Sequence, residues 1–206
     1  MLGVRISSLT HEFDGREVFS SIDFAYDGSC LAITGPNGSG KSTLLRILSG
    51  LMEPISGEAR LMIGGSPVSR QQARSVVGLC APDIKLYPEL SARENLLFLL
   101  KARGASDAER MSTSALEEVG LADRGDDPVR ELSSGMRQRA ALAAAVAHDP
   151  TVLLLDEPSS NLDEPGIRMV RALIDARRRK GLVVIATNDA DEAAIADRTL
   201  DLRSVQ

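Results

Sequence analysis

The sequence predicts an α/β protein: a parallel sheet with helices, an antiparallel β layer ahead of it, and a helical segment inserted into it. Three observations carry this. Short aliphatic runs, CLAIT (30–34), VVGLC (76–80), TVLLLD (151–156) and LVVIAT (182–187), read as buried strands. Helical patterns such as KSTLLRILSG, EPGIRMVRALIDARRRK and ADEAAIADR separate them, the alternation of a parallel sheet. Between residues 90 and 147, ARENLLFLLKARG, DAERMSTSALEEVG and MRQRAALAAAVA keep helical spacing with no strand among them.

The remaining elements follow in order. Over the first sixty or so residues, VRISSLTHEFDG and REVFSSIDFAYDG alternate short β-like stretches with turns, which predicts the antiparallel layer. RTLDLRS (198–204) supplies a last strand. A length of 206 residues and 43% hydrophobic content suit one domain with an ordinary core. We place a core lobe at about 1–85 and 148–206 and a helical subdomain at about 86–147.

Composition also excludes classes. A net charge of −5 argues against a general nucleic-acid binder, which needs a basic face. MLGVRISSLT lacks the apolar centre of a signal peptide, and LLFLL (96–100) and ALAAAVA (141–147) are too short to span a bilayer. The expectation is a soluble, cytoplasmic protein. Cys30 and Cys80 have no second cysteine or histidine at ligand spacing and read as small apolar packing residues, with His11 and His148 as incidental. RRRK (177–180) reads as a solvated helix end that complements the helix dipole.

The chemistry begins at GPNGSGKST: Gly35, Pro36, Asn37, Gly38, Ser39, Gly40, Lys41, Ser42 and Thr43. Its first eight residues fit the phosphate-loop pattern of a glycine, four free positions, then Gly-Lys-Ser/Thr, between a strand and a helix. Glycines let backbone N–H groups approach an anion with no Cβ in the way, and the helix start points its positive end at the same place. Lys41 brings a full charge to the β- and γ-phosphates, and Ser42 a hard oxygen for Mg²⁺. TVLLLDEPSS (151–160) adds the hydrolytic half. Asp156 and Glu157 emerge at the C-terminal end of a buried strand, where open α/β sheets bind ligands. Asp156 is placed to hold Mg²⁺, and Glu157 to polarise the attacking water.

A third motif narrows the class. LSSGMRQRA (132–140) resembles the signature sequence of ABC-transporter ATPases, usually LSGGQ-x-QR, and SNLD (160–163) resembles their D-loop. With the phosphate loop and the acidic strand, these stand in family order over essentially the whole chain. The resemblance implies a P-loop NTPase with an ABC-type core that binds ATP and Mg²⁺. It implies two lobes, as a homodimer or ABC heterodimer, that sandwich two ATP molecules head to tail. Ser133, Ser134 and Gly135 of one lobe would complete the partner's site, Asp163 would shape the interface, and Phe13 would stack on adenine. By itself, Ser133 or Ser134 is also a plain N-cap, and Phe13 a core residue. APDIKLYPELSARENL (81–96) resembles the region that contacts an integral membrane permease, so docking is expected over about 81–103, with Tyr87, Pro88 and Leu90 as semi-exposed candidates for that surface. The protein would then lie peripherally on the inner face of the cell membrane.

Two positions depart from the family pattern. Where the family carries a glutamine that reaches Mg²⁺ and water, this chain reads APDI, so Asp83, or Pro82 under another alignment, takes the place. Where the family carries a histidine, this chain reads IATND. Asn188 can donate to a γ-phosphate but cannot take up a proton, which predicts slower turnover. Three readings stay open: a transporter ATPase, an ATP-binding regulatory or assembly protein with weak turnover, and a soluble ABC protein outside transport. The compact form, LCAPDIKLYPELSARENLLF and EPSSNLD resemble ATPase subunits of haem-export and cytochrome-c-maturation systems.

Overall fold

The computed structural model describes the backbone of residues 1–13 and 16–203 and the side chains of 1–12 and 17–203. Its first layer is an antiparallel sheet. Strands β1 (Leu2–Phe13) and β2 (Arg16–Asp27) pair, β4 (Ser56–Ile63) adds to the other edge of β1, and the two-residue β5 (Ser66–Pro67) completes the order β2-β1-β4-β5. The β1–β2 register runs Val4↔Tyr26 and Ile6↔Phe24, then slips to Leu9↔Ile22 and His11↔Phe19. Ser8 and Ser21 take positive φ at the slip, and the extra residues bend the ribbon over the rest of the molecule.

The second sheet is parallel: β3 (Cys30–Thr34), β6 (Val77–Cys80), β7 (Val152–Asp156), β8 (Leu182–Ala186) and β9 (Arg198–Asp201), in the order β6-β7-β8-β3-β9. Every residue of β7 and β8 is buried, as continuous apolar strands covered on both faces must be. Residue parity divides them. Val152, Leu154, Leu182 and Val184 face a core shared with the antiparallel layer and with helix α1 (Lys41–Leu48). Leu153, Leu155, Val183 and Ile185 face the opposite core.

That opposite core receives α3 (Ala92–Ala102), α4 (Ala108–Glu118), α5 (Ser134–Val146) and α6 (Glu164–Arg178). Ser91 and Glu94 form a capping box that starts α3, Ser133 caps α5, and Asp163 caps α6 ahead of Pro165. The inserted helices have no separate core. Leu96, Leu116 and Leu142 belong to the same buried cluster as Leu153 and Ile185 of the sheet.

Two details differ from the sequence reading. Residue 76 closes an additional helix, α2 (Arg70–Val76), begun by a Ser69–Gln72 capping box, so β6 starts at Val77. The pattern over 190–198 yields only the short helix α7 (Ala190–Ala193). Asp197 must accept the backbone N–H of Cys30 and the Tyr26 hydroxyl, which pulls the chain out of helix before β9.

Candidate functional site

The phosphate loop runs from the end of β3 into α1. Gly40 occupies the N-cap position with φ 94° and offers no side chain to the helix start, so the first-turn N–H groups remain available to an anion. A Cβ on Gly40 would lie 2.5 Å from both Phe19 Cε1 and Val18 Cγ1. The antiparallel layer therefore props the loop from beneath, and only glycine fits the contact.

Lys41 is almost fully buried, and its ammonium is already satisfied. Nζ donates to Gly35 O at 2.8 Å, Pro36 O at 3.3 Å and Asn188 Oδ1 at 2.7 Å. Asn188 also donates through Nδ2 to Asn37 Oδ1, so one amide ties the lysine to the loop. The loop encloses a cavity of about 340 Å³, lined among others by Gly38, Lys41, Ser42, Asp156 and Glu157. Gly35, Pro36, Ser39 and Thr43 shape the loop and the first helical turn around it.

Asp156 continues the parity of Val152 and Leu154 and so faces α1. It is 2% exposed and accepts a hydrogen bond from the Ser42 side chain. Burial raises its pKa, against the opposing pull of Ser42, Lys41 and Arg46. Its Oδ2 is buried with no partner. An orphaned carboxylate oxygen beside a serine hydroxyl is a hard-oxygen pair of the kind Mg²⁺ takes. Among the described residues no three His, Cys, Asp or Glu side chains form a metal cluster. A cation here would thus draw its remaining ligands from water and phosphate.

Glu157 points elsewhere because its backbone turns. It has φ 48°, and its N–H donates to Ala186 O at 2.8 Å. Oε1 lies 4.0 Å from Lys41 Nζ, and the carboxylate accepts the backbone N–H of Asn188. Burial raises the Glu157 pKa; Lys41 opposes this, while Glu192 and Asp156 add to it. A carboxylate with raised proton affinity is a better base near neutral pH.

The signature residues lie outside this cavity. Ser133 Oγ accepts from Met136 N at 3.2 Å as the α5 cap, and Ser134 lines a neighbouring groove. Neither serine nor Gly135 lines the phosphate-loop cavity. The start of α5 instead packs on the segment after Glu157. Gln138 Nε2 donates to Pro158 O at 3.0 Å, and Arg139 pairs with Asp163 at 3.2 Å. Asp163 also accepts from Gly166 N. The stacking expected of Phe13 lies outside the described side chains.

Asp83 does not line the phosphate-loop cavity, although its charge helps raise the Asp156 pKa. Its carboxylate pairs with Arg46 at 2.8 Å and is half exposed, while Pro82 lines the cavity instead. The reason is the Arg46 guanidinium on α1, which captures the carboxylate at the rim. Sequence reasoning missed Arg46, although Ser42 and Arg46 stand four apart on one helix face, a legible spacing. It also missed Val18 as a cavity wall, which no local pattern marks, whereas Pro82, the other residue read at the glutamine position, does line the cavity. Beyond the rim, buried Asn95 accepts from Tyr87 N at 2.8 Å and donates to the carbonyls of Tyr87 and Ser91, fixing the 87–91 turn. Tyr87 stays exposed, and its ring meets Phe98 edge-on at 5.6 Å.

A phosphate loop and an acidic strand end, side by side at the C-terminal edge of a parallel sheet, define the P-loop NTPase class. Within that class, the family model described as "ABC transporter" matches residues 21–160, and the chain belongs to this family. It is 37% identical to the phosphate import ATP-binding protein PstB 2 of Natronomonas pharaonis, over 97% of this chain and 76% of that protein. It is 40% identical to the Fe(3+) ions import ATP-binding protein FbpC of Agrobacterium fabrum, over 85% of this chain and 51% of that protein, so it spans about half of that relative. Its fold matches a dimeric post-hydrolysis state of an ATP-binding cassette bound to ADP and Pi, with TM-score 0.81, 23% identity, and coverage of 96% of this chain and 93% of that one.

Proposed function

We propose that the chain binds and hydrolyses ATP as the energy-coupling subunit of an ABC transporter. The observation that carries this is the convergence of Lys41, Ser42, the orphaned Asp156 oxygen and Glu157 on one cavity. In this reading the Lys41 ammonium exchanges its contacts with Gly35, Pro36 and Asn188 for the β- and γ-phosphate oxygens. Ser42 and Asp156 would hold Mg²⁺, which would supply positive charge to neutralise the phosphates. Glu157 accepts a hydrogen bond from the attacking water and orients it in line with the γ-phosphate, and Asn188 donates to that phosphate. The N–H groups at the start of α1 stabilise charge on the phosphates.

Ser133, Ser134 and Gly135 complete the site of a second lobe, with Asp163 at the contact. Support comes from their position outside their own chain's cavity, at a capped helix start that is itself an anion-binding arrangement. The permease docks over about 81–103, where Tyr87 and Phe98 are exposed. No described helix is long and apolar enough to cross a membrane, so attachment to the inner face of the membrane would come through the permease. The neutral amide of Asn188 supports slow turnover. A haem-export or cytochrome c role rests on the phrases LCAPDIKLYPELSARENLLF and EPSSNLD, while relatives named for phosphate and Fe(3+) import share the same core. Identifying the permease encoded beside the gene tests the cargo.

The mechanistic test is Glu157→Gln with Mg·ATP. The variant should bind nucleotide, lose phosphate release by about 10²–10⁴-fold, and accumulate as a dimer in light scattering. Lys41→Ala should abolish binding. Normal hydrolysis by Glu157→Gln refutes the assigned base.

A further inference from the structure

Two carboxylates are buried among the described residues, Asp156 and Glu192. Asp156 faces the cation site. Glu192, on α7, does not line the phosphate-loop cavity and forms no ion pair with any described residue. At 5% exposure, a carboxylate without a cation is costly to desolvate, so its place calls for a reason. Its partner is a serine. Ser159 Oγ donates to Glu192 Oε1 at 2.5 Å, a charge-assisted bond between residues 33 positions apart.

Ser159 belongs to the turn that aims Glu157. That turn is strained, with left-handed backbone at Glu157 (φ 48°) and Asn161 (φ 62°). Such a conformation persists only where its surroundings hold it. Here the Glu157 N–H donates to Ala186 O at 2.8 Å, Pro158 O accepts from Gln138 Nε2 at 3.0 Å, and Ser159 is tied to Glu192. The far end of the tie is fixed as well. Thr187 N donates to Ile33 O at 3.0 Å, and Thr187 Oγ1 accepts from Asp189 N at 3.0 Å. Asp189 Oδ1 caps α7, accepting from Asp191 N at 2.7 Å and Glu192 N at 3.1 Å. Between these anchors, Asn188 sends its side chain to Lys41 and its backbone N–H to the Glu157 carboxylate. The segment 187–192 thus grips Glu157 twice: at its carboxylate through Asn188, and at its turn through Glu192 and Ser159.

We propose that Glu192 is a positioning residue for hydrolysis: through Ser159 it holds the turn from which Glu157 meets the attacking water. The inference rests on the reading of Glu157 as the group that orients that water. It divides the labour within one short segment. Asn188 attends to the nucleotide-binding lysine, and Glu192 fixes the direction of the base. Nucleotide binding draws on Lys41 and the N–H groups at the start of α1, none of which Glu192 touches. Loss of the tie should therefore slow turnover without weakening affinity.

The test measures phosphate release from Mg·ATP and binding of a fluorescent ATP analogue by the full chain. Glu192→Ala should lower kcat by about 10–10²-fold, the scale of a misplaced reacting group, and leave KM and analogue affinity unchanged. Its melting temperature should hold or rise, because a buried carboxylate with no cation is removed. Glu192→Gln, whose amide oxygen can still accept from Ser159, should recover most of the rate. Ser159→Ala cuts the same bond without touching α7 and serves should Glu192→Ala fail to fold. The double variant should be no slower than the slower single one, since both break one contact. Turnover at the normal rate in either alanine variant overturns the inference. So does a fall in affinity and melting temperature alongside kcat, which marks a purely structural part. Glu192→Gln as slow as Glu192→Ala, or losses that multiply in the double variant, also overturn it. Glu157→Gln runs alongside: normal hydrolysis there removes the base assignment itself, whereas a dead Glu157→Gln beside a normal Glu192→Ala removes only the role given to Glu192.

Discussion

Replacing Gly40 by alanine isolates the support that the antiparallel layer gives the phosphate loop. Two costs add. At φ 94° an L-residue pays about 1–2 kcal/mol for left-handed backbone. The new Cβ would sit 2.5 Å from Phe19 Cε1 and Val18 Cγ1, and Phe19 is fully buried and cannot swing away. Overpacking of that kind costs about 1–3 kcal/mol, for a total of about 2–5 kcal/mol. Gly38 is the internal control. It also has positive φ, at 82°, but nothing lies within 4 Å of its hypothetical Cβ, so Gly38→Ala should cost only the backbone share of about 1–2 kcal/mol. Urea unfolding of the nucleotide-free proteins measures both. Because Val18 lines the cavity, Gly40→Ala should also weaken binding of a fluorescent ATP analogue. If Gly40→Ala is no more destabilising than Gly38→Ala, the propping argument is wrong.

Other expectations are smaller in scope. His148 is half-buried against Val77 O, and loss of solvent together with the neighbouring Arg103 lowers its pKa from 6.5 to about 4. The unfolded chain therefore binds more protons than the native one at acid pH, and stability falls as pH drops from about 6.5 towards 4. The share due to His148 is about 2 kcal/mol between pH 7.5 and 5. Urea melts of His148→Gln, whose amide can keep the bond to Val77, should lack that share of the slope; an unchanged slope refutes it. Asn188→His removes a neutral amide that accepts from Lys41 and supplies a group able to take up a proton, so ATPase turnover should rise severalfold; an unchanged or lower rate sinks the idea. Asp83→Asn should cost under about 1 kcal/mol, as a partly exposed pair with Arg46, and should leave the Mg²⁺ dependence of ATP binding unchanged. A severalfold higher Mg²⁺ requirement would place Asp83 among the metal ligands.

The parts of this protein that were legible in its sequence are those that one stretch of chain specifies alone. The runs at 30–34, 152–156 and 182–186 have to be buried strands, and three glycines before Lys41 have to be a turn that an anion can approach. Asp156 was legible because it continues the strand's alternation, and Glu157 because it follows the strand end directly, although a backbone turn sets its direction. The pieces that escaped depend on meetings across the fold. Asp83 lies 37 positions from Arg46, and which acid that guanidinium captures is decided by tertiary placement. Val18 becomes a cavity wall only because the β1–β2 ribbon slips register and bends. The helix at 70–76 announced itself through a Ser-x-x-Gln box, a local signal that weak apolar periodicity overshadowed. The shared core beneath the inserted helices was invisible for a further reason: helical spacing tells which face is apolar, not which neighbour covers it.

The Lys41 ammonium enters the encounter with its ligand already content. Since its donors are spent on two carbonyls and an amide, whatever arrives must outbid them, and the transaction is a trade of oxygens for oxygens. A chloride or a lone carboxylate offers too few to compensate. A polyphosphate chain offers many, spaced along the same groove. Selectivity in this cradle would therefore arise from what the visitor makes the protein relinquish as much as from what it brings.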